Sequence, residues 1–137
     1  MTPYLSTIRV YYEDTDMAGV VYYANYLKYL ERGRSDAVRA AGMEQLAMRD
    51  VHDLVFVVRR VEAEYLRPAR FDDVLTVETG LGEMSGARFT MPQRVLRGDE
   101  VLLTAQIGVA VMTTGGKPRR LPAEMRAAFA SLFKIER

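Results

Sequence analysis

The chain reads as an α+β protein in which one five-stranded antiparallel sheet wraps a single long helix and a second helix closes the C-terminus. Two observations lead to that class. One amphipathic run of helical period follows a first strand, and four period-two segments then succeed one another across short turns. A lone helix laid on a lone sheet lets each bury one apolar face against the other.

The elements follow in order. Residues 6–13 alternate Ile8, Val10 and Tyr12 against Thr7, Arg9 and Tyr11, the first strand, and residues 14–19 (DTDMAG) break it with turn formers. From about residue 22 to 41, Tyr26, Leu30, Gly33, Ala37 and Ala41 recur every three or four positions, while Lys28, Glu31, Arg32, Ser35 and Arg39 fall elsewhere. This is the helix; Gly42 stops it, and Asn25 either caps its start or bonds within the first turn. Gly33 and the alanines thin its buried face, so a sheet can approach closely.

A polar connection through His52, read as a surface or packing residue, leads to strands at 54–66, 74–81, 87–96 and 100–113. In the first of these Val55, Val57, Val61, Ala63 and Tyr65 share an expected buried face, with Arg59 as an oddity among them. Val58, Arg60, Glu62, Glu64 and Leu66 share the wet face. Glycine-bearing turns at 83–86 and 97–99 suit hairpins, whereas residues 67–73 (RPARFDD) form a longer turn. Pro92 has no N–H for a ladder, which predicts a bulge or an exposed edge there. Pro122 and Glu124, followed by Met125, Phe129, Leu132 and Phe133, predict the closing helix. Open sheet edges need management, and pairing between subunits makes a homodimer the expected minimum unit.

Composition narrows the functions. With 137 residues the chain fits one domain, 1–137. Nineteen basic against eighteen acidic residues give a net charge of +1, so no global field gathers nucleic acid. The absence of cysteine excludes disulfides, thiolate metal sites and a cysteine nucleophile, and a single histidine excludes a histidine-rich metal centre within one subunit. The N-terminus carries no basic segment followed by an apolar stretch, and no apolar run nears the roughly 20 residues of a membrane span. The expectation is a cytoplasmic protein.

Chemistry concentrates in residues 11–30 (YYEDTDMAGVVYYANYLKYL), where acidic groups, a glycine turn and a helix start lie within a few residues. Free amides at a helix N-terminus, with the helix dipole, bind an oxygen that gains negative charge. Acidic residues before a helix are also common as caps and turn formers, and spacing alone favours that plainer role.

Tyr12, Asp14, Asp16, the AGVVYY stretch 18–23, Asn25 and Tyr26 closely resemble the signature of hotdog thioesterases of the 4-hydroxybenzoyl-CoA and Tol-Pal-associated (YbgC-like) families. The likeness continues through YLRPARFDDVLTVET (65–79). It implies a hotdog fold and hydrolysis of an acyl-CoA or acyl carrier protein thioester to acid and thiol. It implies no metal or other cofactor, coenzyme A entering as part of the substrate, and assembly as a homodimer or homotetramer.

By position in the motif, Asp16 is the family's catalytic aspartate, acting as nucleophile through a mixed anhydride or as general base toward water. Asp14 is its acidic neighbour, and the Tyr23 N–H is the donor to the carbonyl oxygen. Tyr12, Gly19, Val20, Val21, Tyr22 and Asn25 shape the substrate site. Many YbgC-like proteins carry histidine where this chain has Tyr23, and a phenol is too weak an acid to replace imidazole near neutral pH. Asp16 and backbone amides therefore carry more of the mechanism. The basic cluster that meets coenzyme A phosphates in the hydroxybenzoyl enzymes is reduced here to Arg88, with Lys117 and Arg119 as further candidates from GGKPRRLP. The rival readings are a hotdog dehydratase or hydratase, which needs histidine paired with an acid, and a noncatalytic thioester-binding module.

Overall fold

The computed structural model describes residues 1–135. Strand β1 spans Tyr4–Arg9, and Tyr12–Asp14 forms a single 3₁₀ turn. Helix α1 spans Asn25–Ala40 and α2 spans Gln45–His52. Strands β2 (Val55–Tyr65), β3 (Val74–Thr79), β4 (Met84–Ser85), β5 (Arg88–Arg97) and β6 (Glu100–Met112) precede α3 (Ala123–Leu132). All pairings are antiparallel in the order β1-β3-β5-β6-β2, with the short β4 beside β5.

Helix α1 buries Tyr26, Tyr29, Leu30, Gly33, Ala37 and Val38 against the sheet, the face that the helical spacing predicts. Gly33 sets the approach. A Cβ there would lie 2.5 Å from Val77 Cγ1 and 3.1 Å from Thr79 Oγ1, so only glycine lets the helix sit this low. Beneath it Gln93, 2% exposed, donates to the Leu30 carbonyl and Thr79 Oγ1, each at 2.9 Å, and accepts from Arg34 at 3.0 Å. That network satisfies a buried amide that would otherwise destabilise the core. At the far end α3 plugs the layers through Phe129, whose ring packs on Phe89 and Phe56. Gly42, at φ +86°, ends α1 as expected.

Several expectations are corrected. The first strand ends at Arg9, because Val10 turns into the core and bonds Asp73, its N–H donating to that carbonyl at 2.9 Å. The polar connection through His52 contains α2, whose one buried residue is Met48; His52 itself ends that helix and is exposed. Residues 58–65 of β2 are not half-buried. From Val58 onward every residue is exposed, because β2 is an edge strand and α1 packs at the other side of the sheet, on β1 and β3. Arg59 is therefore no charge on a buried face; it sits at the register shift between Val58 and Arg60.

Pro92 lies at neither an edge nor the bulge of β5, which falls between Val95 and Leu96. Its carbonyl accepts from the Gly80 N–H at 2.8 Å, so its missing N–H faces the same lane. That is where β3 stops and the chain runs irregularly to β4.

Candidate active site

Two segments build the site: residues 11–26, leading into α1, and residues 65–73, the turn after β2. The first folds into a tight hairpin. Thr15 pairs with Val21, the Asp16 N–H donates to the Val20 carbonyl at 2.9 Å, and the Tyr22 N–H donates to the Asp14 carbonyl at 2.9 Å. Gly19, at φ +79°, closes the turn by donating to the Asp16 carbonyl at 3.0 Å. At its tip the Asp16 side chain accepts the Ala18 N–H at 2.9 Å and is exposed.

The hairpin is fastened on both sides. Val21, 4% exposed, enters the core and its N–H donates to the Ala69 carbonyl at 2.8 Å; Val20 bridges Arg70. The Ala69 N–H in turn donates to the Tyr26 hydroxyl at 2.9 Å, and the Tyr12 ring stacks on Phe71 at 4.3 Å. Asp73 staples this second segment, accepting from the Arg70 N–H and from Arg97 Nη1, each at 2.8 Å. Burial works against its charge, but those two donors and the Arg97 cation hold its carboxyl below the ordinary range.

Asn25 is no cap: its side-chain amide donates to the Asp14 carbonyl at 2.9 Å, and the N-cap position is Ala24, whose side chain offers no acceptor. The start of α1 is thus left open. Among the described residues no acceptor meets the N–H of Tyr23 or of Ala24. These donors follow directly on the strand that faces Asp16, so the carboxylate and the open amides belong to one small loop. Asp14 takes a different part, its carboxylate accepting the Tyr11 N–H at 2.9 Å inside the 3₁₀ turn.

Aromatic rings wall the loop. Tyr23 lies 4.9 Å from Tyr22 and 6.3 Å from Tyr65, and Tyr65 lies 5.5 Å from Tyr26. The Tyr65 hydroxyl donates to the Tyr23 carbonyl at 2.9 Å. Burial raises the Tyr26, Tyr29 and Tyr65 hydroxyls above the usual phenol value, and the Tyr23 side chain raises that of Tyr22. None of these four serves as a base near neutrality. Tyr29 is fully buried beneath the loop, where burial first and the nearby Asp14 carboxylate second keep its hydroxyl protonated.

The structure therefore brings Tyr12, Asp14, Asp16, Gly19, Val20, Val21, Tyr22, Tyr23 and Asn25 together. It does not bring Arg88, Lys117 or Arg119 to them. Arg88 pairs across β6 at Ala110, opposite Val57, eight residues from Tyr65 along β2 and so roughly 26 Å from the site end of that strand. Lys117 lies in the exposed turn after β6, and Arg119 Nη1 donates to the carbonyls of His52 and Asp53 at the end of α2. Sequence reasoning missed Ala69, Phe71 and Tyr65 as parts of the site. The run 65–79 stood out as a unit, but nothing local marks which of its groups reach back to residues 12–26.

Among the described residues no cluster of His, Cys, Asp or Glu is placed to hold a metal ion, and no helix is long and apolar enough to cross a membrane. The sequence pattern of the thioesterase-like superfamily matches residues 10–129. The chain is 40% identical over 126 residues to the acyl-CoA thioesterase YbgC of Haemophilus influenzae, covering 91% of this chain and 93% of that one. It is 39% identical over 124 residues to the acyl-CoA thioester hydrolase YbgC of Escherichia coli O157:H7, covering 89% and 92%.

Among solved structures, a probable thioesterase from Bartonella henselae superposes with a TM-score of 0.85 at 43% identity, covering 88% of this chain and all of that one. A 1,4-dihydroxy-2-naphthoyl-CoA thioesterase from Synechocystis superposes at 0.87 with 22% identity, covering 95% and 97%, a likeness of fold alone. The shared architecture is the hotdog fold.

Proposed function

The chain belongs to the thioesterase-like superfamily, and on that premise we propose that this acyl-CoA thioester hydrolase works through the Asp16 carboxylate and the open amides of Tyr23 and Ala24. The observation that carries the reading is the hairpin that ties Asp16 to a helix start whose N–H groups have no acceptor among the described residues. A thioester carbonyl set over those amides has its developing oxyanion stabilised by them and by the helix dipole.

Asp16 then acts in one of two balanced ways. As nucleophile, its oxygen bonds to the carbonyl carbon, the C–S bond breaks, the thiolate leaves and takes up a proton from solvent, and water cleaves the mixed anhydride. As general base, it takes a proton from water as the water oxygen attacks, and the departing thiolate is protonated afterwards. Tyr23 contributes its backbone, not its phenol. The thioester is carried by coenzyme A or by acyl carrier protein, no further cofactor takes part, and the domain spans residues 1–137 and works in the cytoplasm.

The active unit is a homodimer paired along β2, itself a building block for a tetramer. β2 carries the charge series Arg59, Arg60, Val61, Glu62, Ala63, Glu64 on an open edge. A twofold axis normal to a sheet keeps paired residues on one face, so residue i opposes a partner of the same parity. Centring on Arg60 or Glu62 opposes like charges, whereas centring on Val61 sets Arg60 against Glu62 of the partner subunit. Antiparallel pairing also lays one subunit's Tyr65 end beside its neighbour's Val57 end. That is how Arg88 and Lys117, with the free N–H groups of Arg119, come within reach of coenzyme A phosphates held at the other subunit's Asp16.

The test is thiol release over aromatic, short-chain and long-chain acyl-CoA, with Asp16→Asn in parallel. Removal of the acid–base or nucleophilic group is expected to lower kcat by about 10²-fold or more, leaving KM nearly unchanged. A mutant as fast as a competent wild type ends the assignment of Asp16. Tight binding without thiol release in the wild type would instead favour a noncatalytic module.

A further inference from the structure

We propose that Tyr65 is a positioning residue: its hydroxyl, reaching from the last residue of the open edge strand, holds the peptide that follows the Tyr23 amide and so keeps the oxyanion donors aimed. The inference rests on the reading above, in which the Tyr23 and Ala24 amides receive the carbonyl oxygen.

The first turn of α1 does not hold that peptide itself. Tyr23 precedes the N-cap Ala24, so its carbonyl stands outside the helical ladder, and the Leu27 N–H donates to Ala24 at 3.2 Å instead. The acceptor left over is taken by the Tyr65 hydroxyl at 2.9 Å, across 42 residues of sequence. The carbonyl so held belongs to the same peptide plane as the Ala24 N–H, and fixing that plane fixes the Ala24 donor directly and the Tyr23 backbone through it. From the other side, Asn25 and the Tyr22 N–H both bond the Asp14 carbonyl, each at 2.9 Å. The helix mouth is therefore clamped between the acidic hairpin and β2, and Tyr65 is the clamp on the strand side.

Its placement has a second consequence. Tyr65 is the end residue of the strand whose outer edge carries no neighbour in the sheet order. Any pairing that stiffens that edge stiffens the clamp, so self-association and the aim of the amides are coupled through one hydroxyl. The ring makes a separate contribution, since it packs edge-on to Tyr26 at 5.5 Å and to Tyr23 at 6.3 Å.

Tyr65→Phe removes the hydroxyl and leaves the ring. It is assayed by thiol release on the best acyl-CoA substrate of the wild type, beside Asp16→Asn, with sedimentation and thermal unfolding on the same samples. The expected result is a kcat lower by about tenfold, from loosened donors rather than lost contacts, with KM within about twofold and the dimer and melting midpoint unchanged. A purely structural tyrosine would move the midpoint and leave kcat per folded enzyme alone, and that result overturns the proposal. So does an unchanged kcat, or a rise in KM alone, which would make Tyr65 a substrate contact. If Tyr65→Phe is fully active while Asp16→Asn is dead, only this inference falls. If Asp16→Asn keeps the wild-type rate, or the wild type releases no thiol, the underlying reading falls and takes this one with it.

Discussion

The middle of α1 and the mouth of α1 are turns of one helix with opposite surroundings. In the middle, Gly33 lets the backbone settle onto Val77 and Thr79, and Gln93 links the Leu30 carbonyl, Thr79 and Arg34 with its amide fully used. At the mouth, Tyr22, Tyr23 and Leu27 are exposed, the Tyr23 and Ala24 amides meet no acceptor among the described residues, and the adjoining strand leaves Val58, Val61 and Tyr65 between 42% and 46% exposed. One helix thus closes the core along its middle and leaves open amides beside exposed apolar side chains at its mouth. Such surface is where a substrate and a second subunit find purchase.

The sharpest way to break the contrast is to disturb the closed side. Gly33→Val adds atoms where even a Cβ lies 2.5 Å from Val77 Cγ1, and is expected to cost about 3 kcal/mol in urea unfolding. A variant as stable as the wild type would mean the helix does not need to sit so low. Gln93→Leu is expected to cost about 2 kcal/mol, because the Leu30 carbonyl and the half-buried Arg34 lose their partner together. A neutral or stabilising result would show that apolar filling serves as well as the network.

The open side should answer differently. Arg60→Glu sets like charges across the proposed twofold and is expected to weaken self-association by roughly 1 kcal/mol or more, read by sedimentation equilibrium, with little change in the stability of the separated protomer. Arg60→Glu with Glu62→Arg restores the pair and should restore the dimer. Dimers indifferent to both changes would rule out the Val61-centred register.

Much of this could be read along the chain. The 3.6-residue spacing from Tyr26 to Ala37, with glycine and alanine on the buried face, announces both a helix and its close approach to a sheet. The concentration of Asp14, Asp16 and Gly19 before that helix marks the hairpin, since turn formation and the left-handed glycine are properties of neighbours. Helix α2 escaped because its eight residues make barely two turns, too short a run for its spacing to stand out, and it buries only Met48.

β2 misled for the opposite reason. Its alternation of Val, Ala and Tyr matches a half-buried strand, yet alternation states which residues share a face, not whether anything in the same chain covers it. Covering depends on strand order, which arises from pairings between distant segments. The same holds for the Tyr65 hydroxyl on the Tyr23 carbonyl and for Ala69 beneath Val21. By itself the sequence determined the long helix, the five longer strands and the acidic hairpin, while the two-residue β4 was hidden in an expected turn, because period and turn preference are local. Tertiary structure alone decided which strands were left at the edges, which amides at the helix mouth were left open and which remote hydroxyl meets the Tyr23 carbonyl, because those depend on contacts that no neighbouring residue encodes.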